Sequence, residues 1–129
     1  MIPPNPTEGE LAILHVLWSR KAPMTVREVH DVLSRGKDTA YTTVLKMLTI
    51  MAEKKLVERD ESERSHTYRP ALPEPAVQAS LIRDLARRAF SGSALSLVQR
   101  ALDDEMASAE DLEAISKLIA EAKAKRGKS

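Results

Sequence analysis

Thr42, Thr43 and Lys46 are spaced so that a helix brings all three to one face, since residues three and four apart are neighbours on a helical surface. Two hydroxyls and an ammonium there can donate to a guanine edge or a phosphate, hydrogen-bond a base and touch a thymine methyl. Other side chains could add to that chemistry. Tyr41 can set its hydroxyl on a phosphate, and Arg27 sits near a helix start, where anions are favoured. Arg64 can reach a nucleic-acid backbone or minor groove, and Lys54 a phosphate. Each has an ordinary structural role beside this one. Thr42 and Thr43 can cap and pack a helix start, with Lys46 solvated, and Tyr41 can anchor a turn as a half-buried ring. Arg27 can pair with Asp31 at i+4. Arg64 has Glu61 and Glu63 beside it, which repel phosphate. Lys54 and Lys55 complement a helix C-terminus by charge alone. Leu45 and Ile50 fall outside the expected core stripe without a role.

Other chemistries find little support. His15, His30 and His66 fall on separate elements with no metal-ligand spacing, and there is no cysteine to act as nucleophile or ligand. With only four glycines, no glycine-rich phosphate loop forms. Asp103-Asp104-Glu105 reads as a solvated helix end. The chain is not read as an enzyme, and no metal or cofactor is expected.

The 129 residues suit one ordinary domain or two small ones. Hydrophobic residues make up 43% and charged residues 30%, a globular balance, while aromatics are only 3%. The core must therefore come from Leu, Val, Ile, Ala and Met, which favours helices. Net charge is +1, so a nucleic-acid role has to rest on where charges sit. The opening residues, Met1 to Pro6, lack the basic region and apolar stretch of a signal peptide, and no apolar run approaches a membrane span. A cytoplasmic location without membrane partners is expected.

These residues need a scaffold, and the pattern supplies one. Thr7 with Glu10 and Thr25 with Glu28 have the form of capping boxes. The first opens a helix to about Ser19 carrying Leu11, Leu14, Leu17 and Trp18 inward. The second, after a short extended piece at Met24, opens a helix burying Val26, Val29, Val32 and Leu33. A third helix over about 40–54 buries Val44, Met47, Leu48 and Met51. Strands over 56–60 and 66–69 follow, joined by a polar tip. Three helices and a hairpin make a winged helix-turn-helix. Three further amphipathic helices carry Leu81, Leu85, Leu95, Val98, Leu102, Leu112, Ile115 and Ile119, which a second copy would cover. The basic run 123–129 is expected to fray. The fold expected is mainly α: a winged helix-turn-helix with a two- to three-stranded wing over 1–72, and a helical dimerisation region over 73–129.

The sequence resembles the penicillinase and methicillin-resistance repressor (BlaI/MecI/CopY) family over nearly its whole length. The resemblance rests on Thr7-Glu8-Gly9-Glu10 with Leu17-Trp18, on Met24-Thr25-Val26-Arg27-Glu28-Val29 and on Tyr41-Thr42-Thr43-Val44 with Leu48. Lys54-Lys55-Leu56-Val57 and the wing ending Arg64-Ser65-His66-Thr67-Tyr68-Arg69-Pro70 complete it. It implies a homodimeric repressor on an inverted-repeat operator of double-stranded DNA. In some members a membrane sensor protease triggers cleavage at an Asn-Phe pair; aligned through Ser96-Leu97-Val98, that pair falls on Arg100-Ala101, a departure at the point the route requires. The family usually carries Arg where Ile50 stands. The copper-responsive branch relies on cysteines that this chain lacks. The sensor protease is left open as a partner. Near-neutral charge and an acidic wing keep an alternative in view: a winged-helix protein–protein interaction module, or a ligand-gated regulator.

Overall fold

The computed structural model describes residues 4–127; Met1 to Pro3, on which part of the signal-peptide reading rests, and the last two residues of the basic run lie outside the described residues. The elements are α1 (Glu8–Arg20), β1 (Met24–Thr25), α2 (Val26–Gly36), α3 (Tyr41–Glu53), β2 (Val57–Asp60), β3 (Thr67–Pro70), α4 (Glu74–Ala89), α5 (Ala94–Asp103) and α6 (Ala109–Gly127). They form two compact units, one up to Ile82 and one from Arg83 onward.

In the first unit both expected capping boxes form. The Thr7 N–H donates to Glu10 Oε1 at 2.9 Å while the Glu10 N–H donates to Thr7 Oγ1 at 3.2 Å. Thr25 and Glu28 repeat the exchange at 2.9 and 3.2 Å. Each satisfies donors that a helix start otherwise leaves open. The strands make an antiparallel sheet in the order β1-β3-β2, with Met24 opposite Tyr68 and Arg59 opposite Tyr68 on the other side. The extended piece at Met24 is thus the third strand of the wing. Tyr68, at the centre, turns its ring into the core, and the strand's alternation sends Arg69 outward.

The core gathers Ile13, Leu14 and Leu17 of α1, Met24, Val26, Val29, then Val44, Leu48 and Met51 of α3, with Leu56, Val57 and Tyr68. Several details differ from the sequence reading: Trp18, Val32 and Leu33 pack against the core only half-buried, and two further residues differ more. Ile13 is fully buried whereas Leu11 is half-buried, so the covered face of α1 is turned from the one the Leu spacing suggests. Met47 is half-buried rather than part of the sealed stripe; it lies over the first turn of α1, where a Cβ on Gly9 would come within 2.8 Å of its methyl. A single truncation such as Leu48→Ala would cost about 2–5 kcal/mol, because the site is fully enclosed.

The second unit packs differently. Ser93 caps α5, its hydroxyl accepting the Ser96 N–H at 3.0 Å, and Ser108 with Asp111 forms a reciprocal cap for α6 at 3.0 and 3.1 Å. Between α4 and α5 the chain reverses through Ser91 and Gly92, both at positive φ, with the Gly92 N–H returned to Ala86 O at 2.8 Å. Instead of fraying after Lys123, α6 continues through Gly127, its acidic first turn and basic last turn matching the helix dipole. Among the described residues of this unit only Ala86 is buried; Leu85, Leu95, Val98, Leu102, Met106, Leu112, Leu118 and Ile119 are exposed in the single chain, and Ile115 is half-buried.

Candidate nucleic-acid interface

Helix α3 presents two faces. Val44, Leu48 and Met51 hold one against the core, which leaves Tyr41, Thr42, Thr43, Leu45 and Lys46 on the other, all exposed. The helix begins at Ala40, which supplies no side-chain cap, so its first N–H groups are not covered by a neighbouring hydroxyl as in α1 and α2. A groove of about 400 Å³ opens beside this start, lined by Arg27 of α2, Tyr41 and Leu45 of α3, and Arg64 and His66 of the wing.

The structure therefore brings Arg27, Tyr41 and Arg64 together, next to Thr42, Thr43 and Lys46. Arg27 is not paired with Asp31. Its guanidinium lies 5.2 Å from the Tyr41 ring centroid, a cation–π contact that holds both side chains at the mouth of the groove. The Asp31 carboxylate instead lies 3.7 Å from His30 Nδ1. Among the described residues Lys46 and Arg64 form no ion pair. Leu45, which the core stripe leaves out, is part of the groove, and Ile50 is half-buried.

Lys54 stands apart from this group. Its ammonium is 2.9 Å from Glu10 Oε2, and the Glu10 side chain is only 6% exposed. Burial alone would raise the Glu10 carboxyl, but the Lys54 ammonium and the Thr7 N–H outweigh it and hold the group below its ordinary value. The pair ties the start of α1 to the end of α3.

The wing is less hostile to phosphate than its composition suggests. Arg59 takes up Glu61 at 2.9 Å and Arg69 takes up Glu58 at 2.9 Å. Asp60 accepts the Ser62 N–H at 2.9 Å, and the Ser62 hydroxyl, together with that N–H, keeps its carboxyl below the usual range. Of the acidic residues flanking Arg64, only Glu63 is left without such a partner among the described residues. No group of three or more His, Cys, Asp or Glu able to hold a metal occurs among the described residues. No helix there is long and apolar enough to cross a membrane.

A family model described as the penicillinase repressor matches residues 6–121. The chain belongs to the penicillinase repressor family. Curated relatives agree: the transcriptional regulator BlaI of Mycobacterium tuberculosis, in the CDC 1551 / Oshkosh and H37Rv strains, is 37% identical over 119 residues, 92% of this chain and 85% of that protein. The solution structure of the DNA binding domain of the repressor BlaI superposes with a TM-score of 0.50 at 23% identity, covering 57% of this chain and 88% of that one. This likeness shows a shared winged-helix fold. The family comprises transcriptional repressors rather than enzymes, and this member is a transcriptional repressor with a winged helix.

Proposed function

We propose that this penicillinase-repressor homologue silences transcription by seating α3 in the major groove of an inverted-repeat operator, two copies acting as a homodimer. The observation that carries this reading is where open cations gather: Arg27, Lys46 and Arg64 stand around the outer face of α3 without an ion pair among the described residues, and Arg27 and Arg64 line one groove with Tyr41 and Leu45. Cations left open at a helix that a major groove can admit suit a polyanionic duplex.

In this reading Thr42, Thr43 and Lys46 face base edges, while Arg27, Tyr41 and Arg64 meet the phosphates that flank them. Lys54 contributes by fixing α3 rather than by contact. The winged helix over 1–72 reads the half-site, and the helices over 73–129 join the copies through Leu81, Leu85, Leu95, Val98, Leu102, Leu112, Ile115 and Ile119. In support, apolar side chains of α4 to α6 stand exposed in the lone chain, and an apolar groove of about 520 Å³ runs between α5 and α6, lined by Val98, Leu102, Met106 and Leu118. Two recognition helices about 34–36 Å apart would require palindromic half-sites one helical turn apart. The protein acts in the cytoplasm, where its DNA is.

Selection of binding sites from random duplexes tests this directly. A palindromic consensus is expected, with log affinity falling against log salt by about 0.9 per neutralised phosphate. Recovery of no consensus, together with salt-insensitive binding, would leave the interaction-module alternative as the better account.

A further inference from the structure

His30 has no part in the contacts proposed so far, yet it touches two of the segments on which they depend. It stands on α2, and its Nε2 lies 2.7 Å from the carbonyl oxygen of Thr39, nine residues ahead across the turn into α3. A carbonyl oxygen can only accept, so Nε2 carries the proton and donates. Ser34 Oγ lies 3.1 Å from the same nitrogen and 3.5 Å from the same carbonyl, which brackets the contact from one helical turn further along α2. The imidazole and the Tyr41 ring meet edge-on at 5.8 Å between centroids and 69° between planes, and the same Tyr41 ring is the one that Arg27 lies against.

The turn needs such a fastening. Its other internal bonds are the Lys37 N–H to Leu33 O at 3.2 Å and the Thr39 hydroxyl to Lys37 O at 3.0 Å, both at its leading end. At the trailing end α3 starts on Ala40 without a side-chain cap; only the Thr43 and Val44 N–H groups return to Ala40 O, at 3.1 and 3.2 Å. Where α1 and α2 define their own first turns with a threonine, α3 has its entry fixed from outside.

We propose that His30 is the positioning residue of the recognition helix: by donating to the Thr39 carbonyl and abutting Tyr41, it sets where α3 begins and how Tyr41, Thr42 and Thr43 are presented. The role rests on the DNA-binding reading above for its functional consequence, but its structural consequence does not. The donor is Nε2 alone. Nδ1 is shielded from solvent and makes no hydrogen bond among the described residues. Glutamine reaches about as far with an amide N–H and can replace the donor, whereas asparagine puts its amide near the position of Nδ1 and cannot.

The test uses the full-length protein as His30→Ala, His30→Asn and His30→Gln. Amide exchange in the absence of DNA should show the Thr43 and Val44 N–H groups losing protection on the order of tenfold in the Ala and Asn variants, with Gln near wild type and the α1 core amides unchanged. Binding to the selected operator should weaken on the order of tenfold in Ala and Asn and recover in Gln. A uniform loss of protection across α1 and α3 in all three variants would overturn the proposal, showing a general packing role. Unchanged exchange at Thr43 and Val44 in His30→Ala would overturn it as well. If wild type itself binds no duplex while the exchange pattern appears as described, the positioning role stands and the DNA-binding reading falls.

Discussion

Removing Lys54 separates a structural from a nucleic-acid role for this residue. Lys54→Met keeps much of the aliphatic stem and deletes the ammonium, leaving the Glu10 carboxylate in a site where its side chain is 6% exposed. Stripping one partner from a buried pair costs about 3–5 kcal/mol when both ends are enclosed. The Lys54 side chain is 34% exposed, so water can replace part of what is lost, and the Thr7 N–H still serves the carboxylate. The expected cost is about 2 kcal/mol of stability at pH 7, a fall in Tm on the order of 10 °C for a domain of this size. The sign of the pH dependence follows from the lowered Glu10 value. The carboxylate is favoured in the folded state, so the pair's contribution is complete above the ordinary 4.5 and is lost as pH falls through the lower folded value. Urea titrations of both proteins at pH 7 and near pH 3 provide the assay, with the gap between them narrowing at the acid end. A variant as stable as wild type at pH 7, but with a shallower salt dependence of operator binding, would refute the clamp and restore Lys54 as a phosphate contact.

Lys46→Ala should cost about 1–3 kcal/mol of operator affinity and relax specificity at one base position; a uniform loss on all duplexes, with the salt slope lower by about one, would assign it to phosphate instead. Leu102→Asp should leave the first unit folded and reduce the mass seen in sedimentation to that of one chain, with full-operator binding falling to the half-site level. Lys55→Gly should stabilise the protein by about 0.5–1 kcal/mol in thermal melts, because Lys55 holds φ at 68° just past the end of α3, where the Leu56 N–H closes onto Met51 O at 2.9 Å.

The scaffold of the first unit was legible because its signals are local. Thr7 with Glu10 and Thr25 with Glu28 announce helix starts within four residues, and the Val44, Leu48 and Met51 spacing announces which face of α3 is covered. What escaped was decided between elements. Ile13 is buried because neighbours cover more of α1 than a narrow stripe records, and no spacing rule contains those neighbours. The Glu10–Lys54 pair joins residues 44 apart, and Arg27 chose the Tyr41 ring over the nearer Asp31. In the candidate interface, the residue types could be picked from helical spacing and the winged-helix pattern, but not which cations were already committed. Glu61, in sequence terms an obstacle to phosphate beside Arg64, is held by Arg59 across the strand end, a pairing that residue types alone do not encode. His30 carried no signal at all, since a carbonyl oxygen nine residues away leaves no mark on side-chain composition.

The uncovered leucines of α5 and α6, with Val98 and Ile119, have a thermodynamic corollary. In the homodimer proposed above a second copy shields these side chains, which makes the order of those helices a bimolecular property, so their melting point should climb with the amount of protein in the tube. Dilution would then act as a denaturant in its own right, and halving the number of molecules would lower promoter occupancy by more than half.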